Sequence, residues 1–349
     1  MSRSLPPSPR PARRGTAEPR AAAAGDYSDD QLRLVARLYH LDGLGQSEVA
    51  RFARVSQAKV SRLLALARER GIVRITVADY EPRHRELEER IQARFGFATV
   101  AVIKDNGSRA PADLRRTVGY FGAAFVDALL QPQDVVALAG GRTIHELVNH
   151  FPASGTKALT VVQAMGSVDS NVSVFDAQEV GRVMARRLGG IFLSLNTPAF
   201  IPEKRTRDAL LELPQVRSVH ENLGRARVAL VGLGTLANSV FVERGTLDAA
   251  MIRELEGAGA VGEVCGRFFD AKGNECATKW RDRVISVQLT QLRRIPLGIA
   301  LVSGTDRSAA IEAAVRGNLI KALIIDEAGA SALLATSLDP STNLKRSRK

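Results

Sequence analysis

The stretch Gln46-Ser47-Glu48-Val49-Ala50-Arg51-Phe52-Ala53-Arg54-Val55-Ser56-Gln57-Ala58-Lys59-Val60-Ser61-Arg62-Leu63-Leu64 reads as two short helices joined by a tight turn, the second running on to about Arg70. Ala50 is small where the helices must cross closely, and Val49, Ala53, Val55, Val60 and Leu63 supply a little core. Val60, Leu63, Leu64 and Ala67 keep i, i+3, i+4 spacing and mark the buried stripe of the second helix. Ser56, Gln57, Ala58, Lys59, Ser61 and Arg62 lie off that stripe. Short polar side chains suit base edges in the DNA major groove, and basic ones suit phosphates. These six residues are therefore the expected DNA-contacting set of a helix-turn-helix. Arg54 stands where such a turn usually carries Gly in a left-handed conformation; a side chain there costs on the order of 1 kcal/mol, which a packed domain absorbs. An ordinary helical hairpin would show the same apolar spacing.

Toward the N-terminus, Tyr27-Ser28-Asp29-Asp30 offers capping groups before Leu32, Val35, Ala36 and Tyr39, which spacing predicts as an amphipathic first helix. Residues 1–26, rich in Pro, Arg, Ser and Ala, are expected to be a disordered basic tail. Beyond Gly71, Ile72-Val73-Arg74-Ile75-Thr76-Val77 is expected as a strand in the position of a wing, so that 27–78 form one DNA-binding unit. Glu81-Pro82 marks a boundary. The segment 79–97 is expected as a linker whose helix, His84 to Phe95, carries Leu87, Ile91 and Phe95 at i, i+4, i+8; spacing allows either a connector or a dimerisation stripe.

From residue 98 to 336 the texture is that of an α/β domain. Apolar runs at 99–103, 134–139, 159–162, 190–193, 228–231, 298–302 and 322–325 alternate with helical segments, among them 114–130. Continuously apolar strands spaced by helices predict a parallel sheet covered on both faces. Residues 337–349 are expected to be a second basic tail.

The chain carries a net charge of +12, which suits a polyanionic partner, although both tails hold much of it. A hydrophobic content of 45% with only 5% aromatic residues fits packed helices and buried strands. Cys265 and Cys276 are the only cysteines, with no His beside them, so neither a metal site nor a cofactor is expected, and a reducing cytoplasm is the simple inference. No apolar run approaches the ~18 residues of a membrane span, and the N-terminus lacks the apolar core of a secretory signal.

Four strand-ends hold the candidate chemistry: Ala139-Gly140-Gly141-Arg142-Thr143-Ile144, Gln163-Ala164-Met165-Gly166-Ser167, Gly232-Leu233-Gly234-Thr235-Leu236 and Ser303-Gly304-Thr305-Asp306-Arg307. A strand, a Gly pair and a helix start present free backbone N–H groups to an anion; Arg142 and Thr143 add a charge and a hydroxyl. Ligands of open α/β sheets bind at the carboxyl ends of strands, so a phosphorylated small molecule is expected. No Lys-Ser/Thr follows the glycines and no G-x-G-x-x-G opens a helix, which excludes a Walker A loop and a dinucleotide fingerprint.

Taken with these turns and the helix-turn-helix, several segments resemble the SorC family of bacterial transcriptional regulators over roughly 28–336. They are Val162-Gln163-Ala164-Met165-Gly166, Pro198-Ala199-Phe200, Gly259 through Asp270 (the most specific), Arg316-Gly317-Asn318-Leu319-Ile320 and Asp326-Glu327-Ala328. The resemblance implies a winged helix-turn-helix followed by a Rossmann-like effector domain similar to sugar-phosphate isomerases and deaminases. It further implies a homotetramer or homodimer that binds a double-stranded operator under the control of a phosphorylated sugar. Carried over by motif, Gly140, Gly141, Arg142 and Thr143 would hold the phosphate, and Gln163 and Gly166 would line the same cleft. Glu263 would accept hydrogen bonds from sugar hydroxyls. Arg307 occupies a position where the family often has Lys; it can bind an anion through its fork but cannot form a Schiff base. The alternative is a phosphosugar isomerase or deaminase-like enzyme with an added DNA-binding domain, for which Glu263, Asp306 and His145 are the acid–base candidates.

Overall fold

The computed structural model describes residues 27–336 apart from 109, 154, 171 and 172; the expected tails at 1–26 and 337–349 lie outside the described residues. The chain forms two compact units that divide between Tyr80 and Glu81.

The first unit contains helices α1 (Asp29–His40), α2 (Gln46–Phe52) and α3 (Gln57–Glu69). Each helix start is capped. The Ser28 hydroxyl accepts from the Gln31 N–H at 3.3 Å, the Glu48 carboxylate from the Gly45 N–H at 2.8 Å, and the Ser56 hydroxyl from the Lys59 N–H at 3.2 Å. Leu32, Val35, Val49, Val60, Leu63 and Ala67 are buried in one cluster. Full burial of a Leu or Val side chain contributes roughly 1.5–3 kcal/mol, enough to fix three short helices that would not persist singly. Arg54 turns the chain between α2 and α3 at φ 52°, in the left-handed region.

The strand expected at Ile72–Val77 does not form. Ile72 and Val73 rest against the helical cluster, whereas Ile75 and Val77 are exposed, and no sheet among the described residues includes this segment. A strand needs a hydrogen-bonded neighbour, and β-branched residues alone do not supply one.

Among the described residues, the second unit is built on nine strands. They are β1 (Thr99–Ile103), β2 (Val135–Leu138), β3 (Thr160–Gln163), β4 (Ile191–Leu193), β5 (Val228–Gly232), β6 (Gly262–Val264), β7 (Arg267–Phe269), β8 (Leu297–Leu301) and β9 (Ala322–Asp326). Seven form one sheet in the order β1-β9-β8-β5-β2-β3-β4, with every neighbouring pair parallel. From β2 the chain builds outward through β3 and β4; from β5 it builds the other way through β8 and β9. Winding therefore reverses between β2 and β5, where the outgoing loops diverge and leave a crevice at the strands' carboxyl ends. Buried residues such as Val136, Leu138, Leu230, Ile299 and Ile324 fill the core of this sheet, and helices cover it.

The helix set apart in the sequence as a connector or dimerisation stripe, α4 (Arg85–Phe95), packs into this second unit. Leu87 and Ile91 are buried in its core, and the Glu88 carboxylate accepts from the Val102 N–H of β1 at 3.0 Å. Arg83 grips the same carboxylate through two contacts of 2.7 Å. Three further helices matter below: α5 (Pro111–Leu129), α6 (Arg142–His150) and α7 (Ala177–Leu188).

Candidate ligand-binding site

A cavity of about 270 Å³ opens where the winding reverses. Residues at or beyond the ends of β2 (Gly140 to Thr143), β3 (Met165, Gly166), β5 (Gly232 to Gly234) and β8 (Val302, Ser303, Arg307) all line it. The four turns picked out in the sequence thus border one space. The short helix Val240–Glu243 and the β6–β7 hairpin close it from other sides, and α5 contributes Arg115.

The loop after β2 leaves no room for a side chain at Gly140, where a Cβ would lie 2.7 Å from the backbone of Phe175 and of Ala177. The Gly141 N–H donates to the Phe175 carbonyl at 2.8 Å. Gly141 then caps α6 without a side-chain hydrogen bond, so the first-turn N–H groups are available to an anion. Arg142, the first residue of α6, sets its Nη2 2.7 and 2.8 Å from the two carboxylate oxygens of Glu243. Arg307 donates to the Ser303 carbonyl at 3.0 Å and to the Asp306 carboxylate.

Glu263 is placed by backbone pairing. Cys265 and Gly266, at φ 51° and 74°, turn β6 into β7 through consecutive left-handed residues, the geometry of a tight primed hairpin turn. The Glu263 N–H and carbonyl each pair with Gly234 at 2.9 Å, tying the hairpin to the loop after β5. The residue as a whole is only 8% exposed. Burial pushes its pKa up to about 7, against hydrogen bonds from the Ser239 side chain and the Gly266 backbone that favour the charged form. Near neutral pH this carboxyl is therefore both donor and acceptor to whatever enters. Burial also pushes the Cys265 thiol up to about 12, which leaves it unreactive.

Gln163 does not line the cavity. Its amide nitrogen donates to the Met165 carbonyl at 2.7 Å, while its oxygen accepts from the Ser194 hydroxyl at 2.9 Å and the Leu195 N–H at 3.0 Å. Almost wholly buried, it stitches the ends of β3 and β4 together. The sequence reading also passed over Arg115, Glu243 and Arg244, all of which border the cavity. One signal marks Arg115: no carboxylate stands three or four residues away on its helix, whereas neighbouring Arg116 pairs with Asp113.

The acid–base candidates are not assembled. His145 hydrogen-bonds Asn149 through Nε2 and packs edge-on against Phe175, and Asp306 is held by Arg307 and by the Asn238 amide at 3.0 Å. Among the described residues no group of three or more His, Cys, Asp or Glu side chains could hold a metal ion, and no helix is long and apolar enough to cross a membrane.

On α3, Gln57, Ala58, Ser61 and Arg62 are exposed together. Ser56 is exposed as well but serves as the cap, and Lys59 sets its ammonium 5.0 Å over the Tyr27 ring.

Residues 82–335 match the family model described as "Putative sugar-binding domain". The chain is 30% identical over 317 residues to an uncharacterized transcriptional regulator, YjhU, of Escherichia coli K12, covering 89% of this chain and 96% of that one. It is 27% identical to the deoxyribonucleoside regulator of Bacillus subtilis, covering 88% of this chain and 99% of the relative. The crystal structure of the full-length sorbitol operon regulator SorC from Klebsiella pneumoniae superposes with a TM-score of 0.71 at 25% identity, covering 88% of this chain and all of that one. With the helix-turn-helix unit, the parallel sheet and these matches together, the chain belongs to the SorC family of transcriptional regulators.

Proposed function

We propose that this protein binds an operator in double-stranded DNA through α3 and that a phosphorylated sugar in the cavity sets its operator affinity. The observation that carries this reading is the cavity's polarity. Arginines stand at its half-exposed mouth and a buried carboxyl that titrates near neutrality stands inside, which suits a ligand with a phosphate at one end and hydroxyls at the other. Gly140, Gly141, Arg142, Thr143 and Arg307 would hold the phosphate, Gly166 would border it, and Glu263 would meet the hydroxyls. Gln163 is left out of this set because its amide is already spent on β3 and β4.

The mechanism is linkage. A ligand that prefers one arrangement of the protein shifts its population by that difference in affinity and no more. Pairing of chains as a dimer or tetramer would convert the shift into altered presentation of α3 to two half-sites. An isomerase would need a second proton-transfer group beside Glu263, and His145 and Asp306 are engaged elsewhere; the regulators among its relatives favour the same side.

The test is fluorescence anisotropy on DNA upstream of the protein's own operon across a panel of sugar phosphates. Salt-sensitive specific binding that one sugar phosphate shifts is the expected result. Turnover of a phosphosugar without specific DNA binding would replace this reading with the enzyme.

A further inference from the structure

The charged side chains around the cavity are not all paired. Arg142 is paired with Glu243, Arg307 with Asp306, and Arg244 with Asp169 at 3.4 Å. Asp176 is occupied as the cap of α7, accepting from the Gln178 N–H at 2.8 Å. Arg115, half-buried on α5, lines the same cavity without a hydrogen bond or ion pair among the described residues. Burial lowers its pKa, and the nearby positive charges of Arg142 and Arg307 lower it further, more than Glu146 raises it. Three guanidiniums thus act on one another, and one of them makes no ion pair among the described residues. Such an arrangement is unfavourable in the empty molecule and becomes favourable when an anion arrives.

We infer that Arg115 is a direct ligand of the effector's phosphate, and that it makes the site select a phosphate monoester over the parent sugar. The inference rests on the proposed function and adds a residue to it. A phosphate monoester carries close to two negative charges at neutral pH and three terminal oxygens. One charge answers Arg115; the other draws Arg142 or Arg307 away from its carboxylate. Arg115 lies on α5, outside all four strand-end turns, so it grips the anion from a direction the glycine loops do not cover.

The experiment uses the full chain and isothermal titration with glucose, glucose 6-phosphate, the other sugar phosphates of the panel and inorganic phosphate. Fluorescence of the single tryptophan provides a second readout, since the Trp280 indole donates to the carbonyl of Gly266, a cavity residue, at 2.7 Å. Arg115→Ala should weaken binding of inorganic phosphate, and of any sugar phosphate the parent binds, by at least about tenfold. Arg115→Gln, which keeps the length of the side chain, should do the same if the alanine variant folds poorly. Arg115→Lys should recover part of the loss, and Arg116→Ala should behave like the parent. Phosphate binding unchanged in folded Arg115→Ala or Arg115→Gln but lost in Arg142→Ala would overturn the role of Arg115 and leave the proposed function standing. A parent that binds glucose as tightly as glucose 6-phosphate, or no member of the panel, would overturn both.

Discussion

Arg142 and Glu243 are 101 residues apart in sequence and meet at the cavity mouth, one Nη2 lying 2.7 and 2.8 Å from the two carboxylate oxygens. On the proposed function, Glu243 occupies the guanidinium that an incoming phosphate would need, and so would compete with the ligand. Both side chains are about half exposed, at 51% and 50%, which limits the pair to about 1 kcal/mol or less. Glu243→Gln should therefore tighten sugar-phosphate binding by up to about fivefold, measured by calorimetric titration. Weaker binding would show that Glu243 organises the site instead of blocking it. Arg142→Ala should abolish the ligand response and retain operator binding.

On α3, Arg62→Ala and Gln57→Ala should each weaken operator binding while leaving sugar-phosphate affinity unchanged. Both residues are exposed, off the stripe of Val60, Leu63 and Leu64. If Arg62 meets a phosphate, its loss should also flatten the salt dependence by about one unit of slope. Anisotropy titrations at several salt concentrations decide this, and parent-like binding by both variants would mean that another face contacts DNA.

The buried Glu263 carboxyl makes stability depend on pH. Its pKa in the folded chain is about 7, against an ordinary value of 4.5. Below 4.5 both states hold the proton and the group contributes no difference. As pH rises through that value the unfolded chain loses its proton first, so folding is progressively disfavoured until about pH 7, and the cost then levels off. Glu263→Gln should remove that cost. Its melting temperature relative to the parent should rise between pH 5 and pH 8, by an amount on the order of 2–3 kcal/mol in folding free energy. An offset between variant and parent that is independent of pH would contradict the raised pKa.

At Gly140 the crowding is against backbone, which cannot swing aside as a side chain can. Gly140→Ala should cost about 1–3 kcal/mol through displacement of the Phe175–Ala177 segment, seen as a lower melting temperature. Ligand affinity should fall with it, because the Gly141 N–H loses its geometry to Phe175.

The sheet was legible because strands buried on both faces leave unbroken apolar runs, as in Ala322 to Ile325, where every residue is buried. The turns at their carboxyl ends were legible because glycines and Arg142 punctuate them. Side-chain direction was not. Gln163 ends β3 beside the cavity, yet its amide turns toward Ser194 and Leu195, a choice made by β4, which pairs with β3 from 31 residues along. Arg115 lies 27 residues before Arg142 in sequence, and only the packing of α5 against α6 brings the two near each other. The segment 72–77 has strand-forming residues but no partner, and the Glu263 hairpin depends on Cys265 adopting a conformation that its residue type does not advertise.

The reversal of winding between β2 and β5 separates two kinds of change available to this protein. Residues inside the strands answer to packing on both faces, so most substitutions there would be felt throughout the sheet. On the proposed function, the turns beyond the strand ends answer mainly to the ligand. New ligand preferences could therefore arise by exchanging side chains at four short turns and on α5, and α3 would keep its reading of DNA throughout. A sensor for a different metabolite is best sought by varying Arg115, Thr143, Val240 and Arg307 together, with the strands left as they are.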